Sequence, residues 1–559
     1  MTHVQSGSIF LQLLAWIAFW VLIVVQLVLL IVVYTSQNMT DAFAFTQWQC
    51  DGYSTRTEGY IGHEPTQELK DEVCACNSAN NVPDTGRRML NEGNTYYTMF
   101  DLMAKYFYIP AVGAVITLVL AFVWLVLMKY FGKSFIWISM GLILGVKVLM
   151  AILLFSYDAS SAAVVIIVFA VLFVLYLMCR REIINRAGES LETACDGLWR
   201  NSSIFFILSP LEAVYLGYIF FWMFGWAASF KTGIVSYNSL TNECDIETDS
   251  SSKMWFASFL MLWMTFYMNH VKVNVVGATL AAWAFGQEEE GSWNVSLSAA
   301  KWSFWHSSPT LSLTSLVCTI IERLKRMAEN KVNWANPMCC ALMIIGYCLF
   351  SIMQAFGRFS VVLHSITGKA FYESAYHSFR LLIKGGNIES AIAADYFIGL
   401  ALGLTSYILS VGIGIILWAW GDDALGSTTL DPNAGENWET WFWILFISMC
   451  ILTRYPYWSI FFLSLVGGYQ WLADETEGRS SVPLMAMFGC AVSHLIFAFF
   501  SAIVLDGVDT IVMCYAIDKD NGLVASDFQK KAPAVATLYV QIDNLVQENG
   551  KISDSAEKA

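Results

Sequence analysis

Residues 254–285 read MWFASFLMLWMTFYMNHVKVNVVGATLAAWAF, and this stretch decides the fold class. A helix crosses the hydrocarbon of a bilayer with about 20 mostly apolar residues, and here there are 32. Near the middle stand Asn269, His270, Lys272 and Asn274. Amide, imidazole and ammonium groups at membrane depth are costly unless they face protein or water. The stretch therefore predicts a crossing helix that is sheltered from lipid and meets something polar.

Similar apolar stretches lie on both sides of it, near 9–34, 107–128, 134–156, 160–179, 204–228, 305–322, 336–356, 395–420 and 482–515. A further apolar region, 438–472, is divided by Arg454 and Pro456 into halves that are short for full crossings. The expected fold class is an all-α polytopic integral membrane protein with about ten transmembrane helices, ten to twelve depending on 438–472. One large extracellular loop, 35–106, follows the first helix. The expected division is a cytoplasmic N-terminus and first helix (1–34), the loop (35–106), a transmembrane transporter core (107–517) and a cytoplasmic polar tail (518–559). Composition agrees: 57% of the 559 residues are hydrophobic, 14% are charged and the mean hydropathy is +0.55. A soluble chain of this length carries far more charge. The net charge of −14 argues against a nucleic-acid partner. The first apolar run is too long for a signal-peptide core and reads as a retained span.

Short-loop basic residues set the orientation. Lys129 and Lys133, then Arg180, Arg181, Arg186 and Arg200, then Arg358, Lys369, Arg380 and Lys384 fall on one side if the spans alternate, which makes that side cytoplasmic. Arg323, Lys325, Arg326 and Lys331 break the pattern, which points to a tilted or incomplete seventh span or an amphipathic extension. Residues 180–201 have the pattern of an amphipathic cytoplasmic helix. Of three Asn-x-Ser/Thr sequons, Asn38 lies outside and is the glycosylation candidate, whereas Asn201 and Asn294 fall inside. Cys50, Cys74, Cys76 and Cys244 sit in polar loops on the outer side and are disulfide candidates.

The chain lacks the HExxH, GxSxG, P-loop and dinucleotide signatures, so neither an enzyme nor an ATP-driven pump is expected, and no catalytic residue, cofactor or metal site is assigned. Intramembrane polar residues are the better guide. Lys147 falls within the third span, and Glu212 follows Pro210 in the fifth. Polar groups beside proline or glycine suit the broken helices that form substrate sites, although interhelical hydrogen bonding uses the same residues. Tyr215, Tyr218, Trp222 and Trp226 follow Glu212 at helical spacing, and Trp263 and Tyr267 stand one turn before the polar cluster. Rings around a carboxylate attract a quaternary ammonium without needing its hydrogen bonds; packing alone also employs such rings. The expected substrate site is Glu212 as counter-charge, Tyr215, Trp222, Trp226, Trp263 and Tyr267 as the cage, and Asn269 and Asn274 for the polar end of the ligand. Lys272 repels a cation, so it either pairs with Glu212 in the empty state or marks an anionic or zwitterionic substrate.

Residues 357–382, GRFSVVLHSITGKAFYESAYHSFRLL, and 508–514, VDTIVMC, together with VVGATLAAWAF at 275–285, resemble the choline transporter-like family of solute carriers. Arg358, Gly368, Lys369, Phe371, Ser374, Ala375, Phe379, Leu381 and Leu382 match one family segment. Val508, Asp509, Thr510 and Cys514 match the closing motif, and Gly277 matches the glycine of the sixth span. Gly357 and Val361 depart from the family pattern. The resemblance covers roughly 180–520 and implies about ten helices and carriage of choline or a related small organic cation in the plasma membrane, facilitative or proton-linked. A lipid-headgroup-handling protein, or a carrier of another amine or zwitterion, is the alternative. Gly277, Arg358, Gly368, Lys369, Asp509 and Thr510 are assigned to packing and gating. The implied partners are a choline-like small molecule and the lipid bilayer.

Overall fold

The computed structural model describes residues 2–36, 108–156, 160–230, 234–238, 243–247, 251–286, 293–330, 337–384, 388–424 and 481–520. The expected extracellular loop, the apolar region 438–472, the polar tail, Asn38, Cys50, Cys74 and Cys76 lie outside the described residues. The described helices are α1 (Thr2–Ser36), α2 (Tyr108–Ser156), α3 (Ser160–Cys179), α4 (Arg181–Arg200), α5 (Ser203–Phe230), α6 (Ser251–Ala284), α7 (Trp293–Trp305), α8 (Ser308–Asn330), α9 (Pro337–Thr367), α10 (Phe371–Lys384), α11 (Ile388–Ala424) and α12 (Ser481–Asp520). A short antiparallel hairpin, β1 (Ile234–Asn238) and β2 (Glu243–Glu247), joins α5 to α6 and sets Tyr237 opposite Cys244. Among the described residues there is no disulfide, and Cys179, Cys195, Cys318 and Cys514 are free thiols.

Four helices are long and apolar enough to cross a membrane by themselves among the described residues: α1, α2, α11 and α12. A fifth such segment results if α3 and α4 count as one span bent by 72°. The apolar faces of α1, α2, α3 and α11 point outward, whereas α12 is mostly buried. On α3, Val164, Phe169 and Leu172 are all more than half exposed, a surface suited to lipid tails.

Residues 108–156 are two helices that meet at a kink at Phe131 (φ −130°, ψ 20°), between the spans expected at 107–128 and 134–156. The bend there is held from outside. Lys129 Nζ reaches Asp196 of α4 at 2.7 Å, Lys133 N–H donates to Glu192 Oε1 at 3.0 Å, and Trp137 Nε1 donates to Asn185 at 3.1 Å. Gly132 and Gly188 let the two helices touch: a Cβ on Gly188 would stand 2.6 Å from Lys133 Cα. The amphipathic helix expected at 180–201 is thus present as α4, with Ile184, Leu191, Ala194 and Leu198 buried.

The seventh span is incomplete and followed by an amphipathic helix, two of the alternatives that the basic residues left open. The chain breaks at His306–Ser307, with the 13-residue α7 before the break and the amphipathic α8 after it. Arg323, Lys325 and Arg326 belong to α8 rather than to a loop, and Arg326 pairs with Glu322 at 3.0 Å. Helix α8 runs antiparallel to α9: Gln354 donates to Glu322, and Gly357 faces Cys318 and Thr314.

Helix α6 is the axis of the bundle. It packs against α5, α7, α8, α9 and α12, and from Tyr267 to Ala281 nearly every side chain is buried. This explains its polar sequence: enclosed by other helices, it needs no lipid-soluble face.

Candidate functional site

Helix α6 presents polar groups on two opposite sides. Thr265 and Lys272, seven residues apart, face α5. Trp222 Nε1 donates to Ala257 O at 3.3 Å, Tyr215 is hydrogen-bonded to Thr265, and Lys272 Nζ donates to Glu212 Oε2 at 2.9 Å. These contacts step along antiparallel helices. Pro210, inside α5, removes one backbone N–H from its ladder two residues before Glu212. The Glu212 side chain keeps 20% of its exposure and Lys272 9%. Lys272 and Glu212 thus form an ion pair, one of the two alternatives open for Lys272, through one carboxylate oxygen only. Asn269 is half-buried and makes no side-chain hydrogen bond among the described residues.

Trp263, Tyr267, His270 and Asn274 recur at steps of four, three and four, the repeat of a single helical stripe. This stripe faces α7, α8 and α1. Trp263 Nε1 donates to Ser312 O at 3.0 Å, the Tyr267 hydroxyl meets Ser308 Oγ at 2.7 Å, His270 Nδ1 meets Ser315 Oγ at 2.8 Å, and Asn274 Nδ2 donates to Ser303 Oγ at 2.8 Å. The break between α7 and α8 lies against this stripe, with Ser307 and Ser308 buried. Phe19 of α1 fills the aromatic side, its ring centroid 5.2 Å from Trp263 and 4.5 Å from Tyr267.

The rings expected to form one cage are thus placed in two groups. Glu212, Tyr215, Tyr218 and Trp222 gather on the α5 side, and Trp263 and Tyr267 turn to α1 and α8. Among the described residues no ring contact joins Tyr215 or Tyr218 to Trp263 or Tyr267, which instead meet Phe19, Trp20 and Phe259. The side chain of Trp226 lies outside the described residues. Lys147, on the second arm of α2, stands 4.4 Å from the centre of the Phe173 ring on α3.

A second charged centre joins α9, α11 and α12. Arg358 Nη1 donates to Asp395 at 3.1 Å and Nη2 to Asp506 at 2.8 Å; Nε stands 2.8 Å from Asp509 Oδ2, off the line of a hydrogen bond. Lys272 lies within electrostatic range of Asp506, so the two centres sense each other. Four carboxylates face two cations across them. The motif residues assemble around the same helices. Gly277 brings α6 against Ser365 of α9 and Thr510 of α12, and a Cβ there would land on the Ser365 hydroxyl. Gly368 (φ +68°) ends α9 in a left-handed turn, where its N–H donates to His364 O at 2.7 Å and Ser374 Oγ donates to Lys369 O at 2.9 Å.

Sequence reasoning missed several of these residues. Gln12 and Gln26 lie in the first span on the buried face shared with Ala15, Phe19 and Ile23. Gln12 Oε1 accepts from Thr310 and Gln26 Oε1 accepts from Tyr218, and neither Nε2 has a hydrogen-bond partner among the described residues. Their 14-residue separation, four helical turns, was a readable signal. Asp506 was readable too, since it stands three residues before Asp509 inside an apolar span. The buried Asn201, whose Nδ2 donates to Gly197 O at 3.0 Å, caps α4. No cluster of His, Cys, Asp or Glu among the described residues is arranged to hold a metal ion.

Helices that expose apolar faces while enclosing ion pairs define a multi-pass membrane protein. Residues 164–520 match the family model described as plasma-membrane choline transporter. The chain belongs to that family. Two CTL-like proteins of Dictyostelium discoideum are each 22% identical to it, over 323 and 312 residues, which cover 52% and 54% of this chain. Those matches take in 58% and 53% of the relatives, so the chain spans little more than half their length. Choline transporter-like 2 of Drosophila melanogaster is 21% identical over 189 residues, 32% of this chain and 23% of its own.

Proposed function

We propose that this protein carries choline or a related small organic cation across a membrane by alternating access, with the plasma membrane as its site. The observation that carries this reading is the family match over 164–520, taken with the excess of acid inside the same stretch, four carboxylates against two cations. An acid-rich interior favours a cation that has left water behind. Glu212 supplies the counter-charge, and Tyr215 and Trp222 are cage rings on its own helix. Trp263, Tyr267 and Asn274 line the opposite side of α6 and shape the path rather than the same cage; Asn269 stands between the two faces. Arg358 and Asp509 join helices that must move together.

The test is uptake of radiolabelled choline into proteoliposomes holding the purified protein, with and without a proton gradient. Saturable uptake that excess unlabelled choline abolishes supports the reading. No uptake above empty liposomes, with the protein folded, overturns it. Lys272 supports a second reading, a zwitterion whose acid meets the ammonium while its amine meets Glu212. Competition by a zwitterionic trimethylglycine that outdoes choline decides for that reading, and translocation of a labelled lipid decides for headgroup handling.

A further inference from the structure

The pair between α5 and α6 has an odd composition for a cation path. A lysine ammonium occupies the carboxylate that an incoming cation needs. Three features say how this arrangement works. The contact is a single oxygen–nitrogen bond of 2.9 Å, without the second bond that an arginine fork would make. Glu212 keeps a fifth of its exposure while Lys272 is more enclosed, so the carboxylate is the member open to a newcomer. Lys272 also has another acid within electrostatic range, Asp506, in a centre where one guanidinium serves three carboxylates.

We propose that Lys272 is a tethered stand-in for the substrate's ammonium: it occupies Glu212 in the empty protein and is displaced toward Asp506 when a small organic cation binds Glu212. This rests on the carrier reading above and deepens it. No covalent bond forms or breaks; one ion pair is exchanged for another. The exchange keeps Glu212 neutralised in both states, which matters because an uncompensated carboxylate inside a bundle is strongly unfavourable. It also makes substrate binding a competition inside one chain, so removing the competitor tightens binding and strengthening it weakens binding. Finally, it links the two centres: a cation at Glu212 adds positive charge beside the acids that hold α9, α11 and α12 through Arg358.

The test measures equilibrium binding of radiolabelled choline to the purified full chain, for the wild type, K272M, K272R and E212Q. The expected results are binding about tenfold tighter in K272M and several-fold weaker in K272R, whose forked guanidinium holds the carboxylate more firmly. In E212Q, saturable binding is expected to be lost. K272R retains the pair, so it reports even if K272M fails to fold. Choline affinity unmoved by K272R, or by a folded K272M, overturns this inference and leaves the carrier reading standing. A wild type that binds no choline overturns both.

Discussion

The two charged centres of this bundle are built in opposite ways, although they stand on helices that pack against one another. Between α5 and α6 one lysine meets one glutamate through a single oxygen, and the glutamate stays a fifth exposed. Between α9, α11 and α12 one arginine spreads its nitrogens over three aspartates, two of them with side chains under a tenth exposed. A balanced pair held by one bond separates when something else supplies the missing charge. A guanidinium shared by three acids on two other helices has no comparable substitute, since every acid left behind repels the others. The difference assigns exchange to the first centre and attachment to the second.

Arg358→Met breaks the second centre outright, and its effect is expected to be the largest. Removing one partner of a buried pair costs about 3–5 kcal/mol, and here three carboxylates are stranded. Thermal unfolding in detergent is expected to show a large loss of stability, with little protein reaching the membrane. Arg358→Lys sharpens the point: an ammonium cannot reproduce the fork to three acids, so it is expected to recover only part of the loss. A fully stable R358K would mean that the centre needs a charge but no particular geometry.

The next effect in size is expected between the two centres. Gly277→Ala places a methyl group on the Ser365 hydroxyl, and overpacking of this kind costs about 1–3 kcal/mol. Ser365 gives its hydrogen to Val362 O at 2.7 Å within its own helix, so Ser365→Ala relieves the crowding without leaving a distant partner unpaired. Partial recovery of the unfolding midpoint in the G277A/S365A double variant checks this. Full additivity of the two substitutions would mean that α6 and α9 shift apart instead.

Glu212→Gln has the largest expected effect on function. It strands Lys272, whose side chain is only 9% exposed. The loss is expected to cost about 2 kcal/mol, below that of a fully enclosed pair because Glu212 itself is a fifth exposed. Choline uptake is expected to fall by more than tenfold at unchanged surface expression. Uptake at full rate in E212Q would remove the counter-charge assignment and leave the contrast between the centres without a functional meaning.

How much of this was legible follows from what each signal depends on. The polar run Asn269–Asn274 pointed correctly to a helix enclosed by others, because polar groups at membrane depth have few other outcomes. The Lys272–Glu212 pair was one of two alternatives that the sequence left open for Lys272, and packing supplies the contact. The sorting of rings to opposite sides of α6 does not follow from the sequence, because helical periodicity fixes which residues share a face but not which helix that face meets. A stripe at 263, 267, 270 and 274 and a second at 265 and 272 were both present, but only packing shows which neighbour each one meets. The break at His306–Ser307 had a local signal, Ser307-Ser308-Pro309, which suits a helix start, but the residues that hold it, Tyr267 and Gln12, are remote in sequence. The kink of α2 at Phe131 was legible as the junction of two spans, since Lys129, Gly132 and Lys133 interrupt the apolar run, but the partners that α4 supplies to them were not.

Asp395→Asn is expected to have the smallest effect, and it tests whether the second centre is graded. Asp395 is the most exposed of the three acids, with 31% of its side chain open and the longest contact to Arg358, 3.1 Å. Neutralising it removes one attraction to the guanidinium and also the repulsion it exerts on Asp506 and Asp509. At a partly exposed site these changes are each modest and opposite in sign, so the net effect on stability is expected to stay within about 1 kcal/mol. Asp506, 8% exposed and 2.8 Å from the guanidinium, has no such compensation, and Asp506→Asn is expected to cost more in the same unfolding measurement. If D395N proved as damaging as R358M, the acids would act as one indivisible unit. Lys272 could then not borrow part of their charge, and the exchange proposed for the first centre would lose its destination.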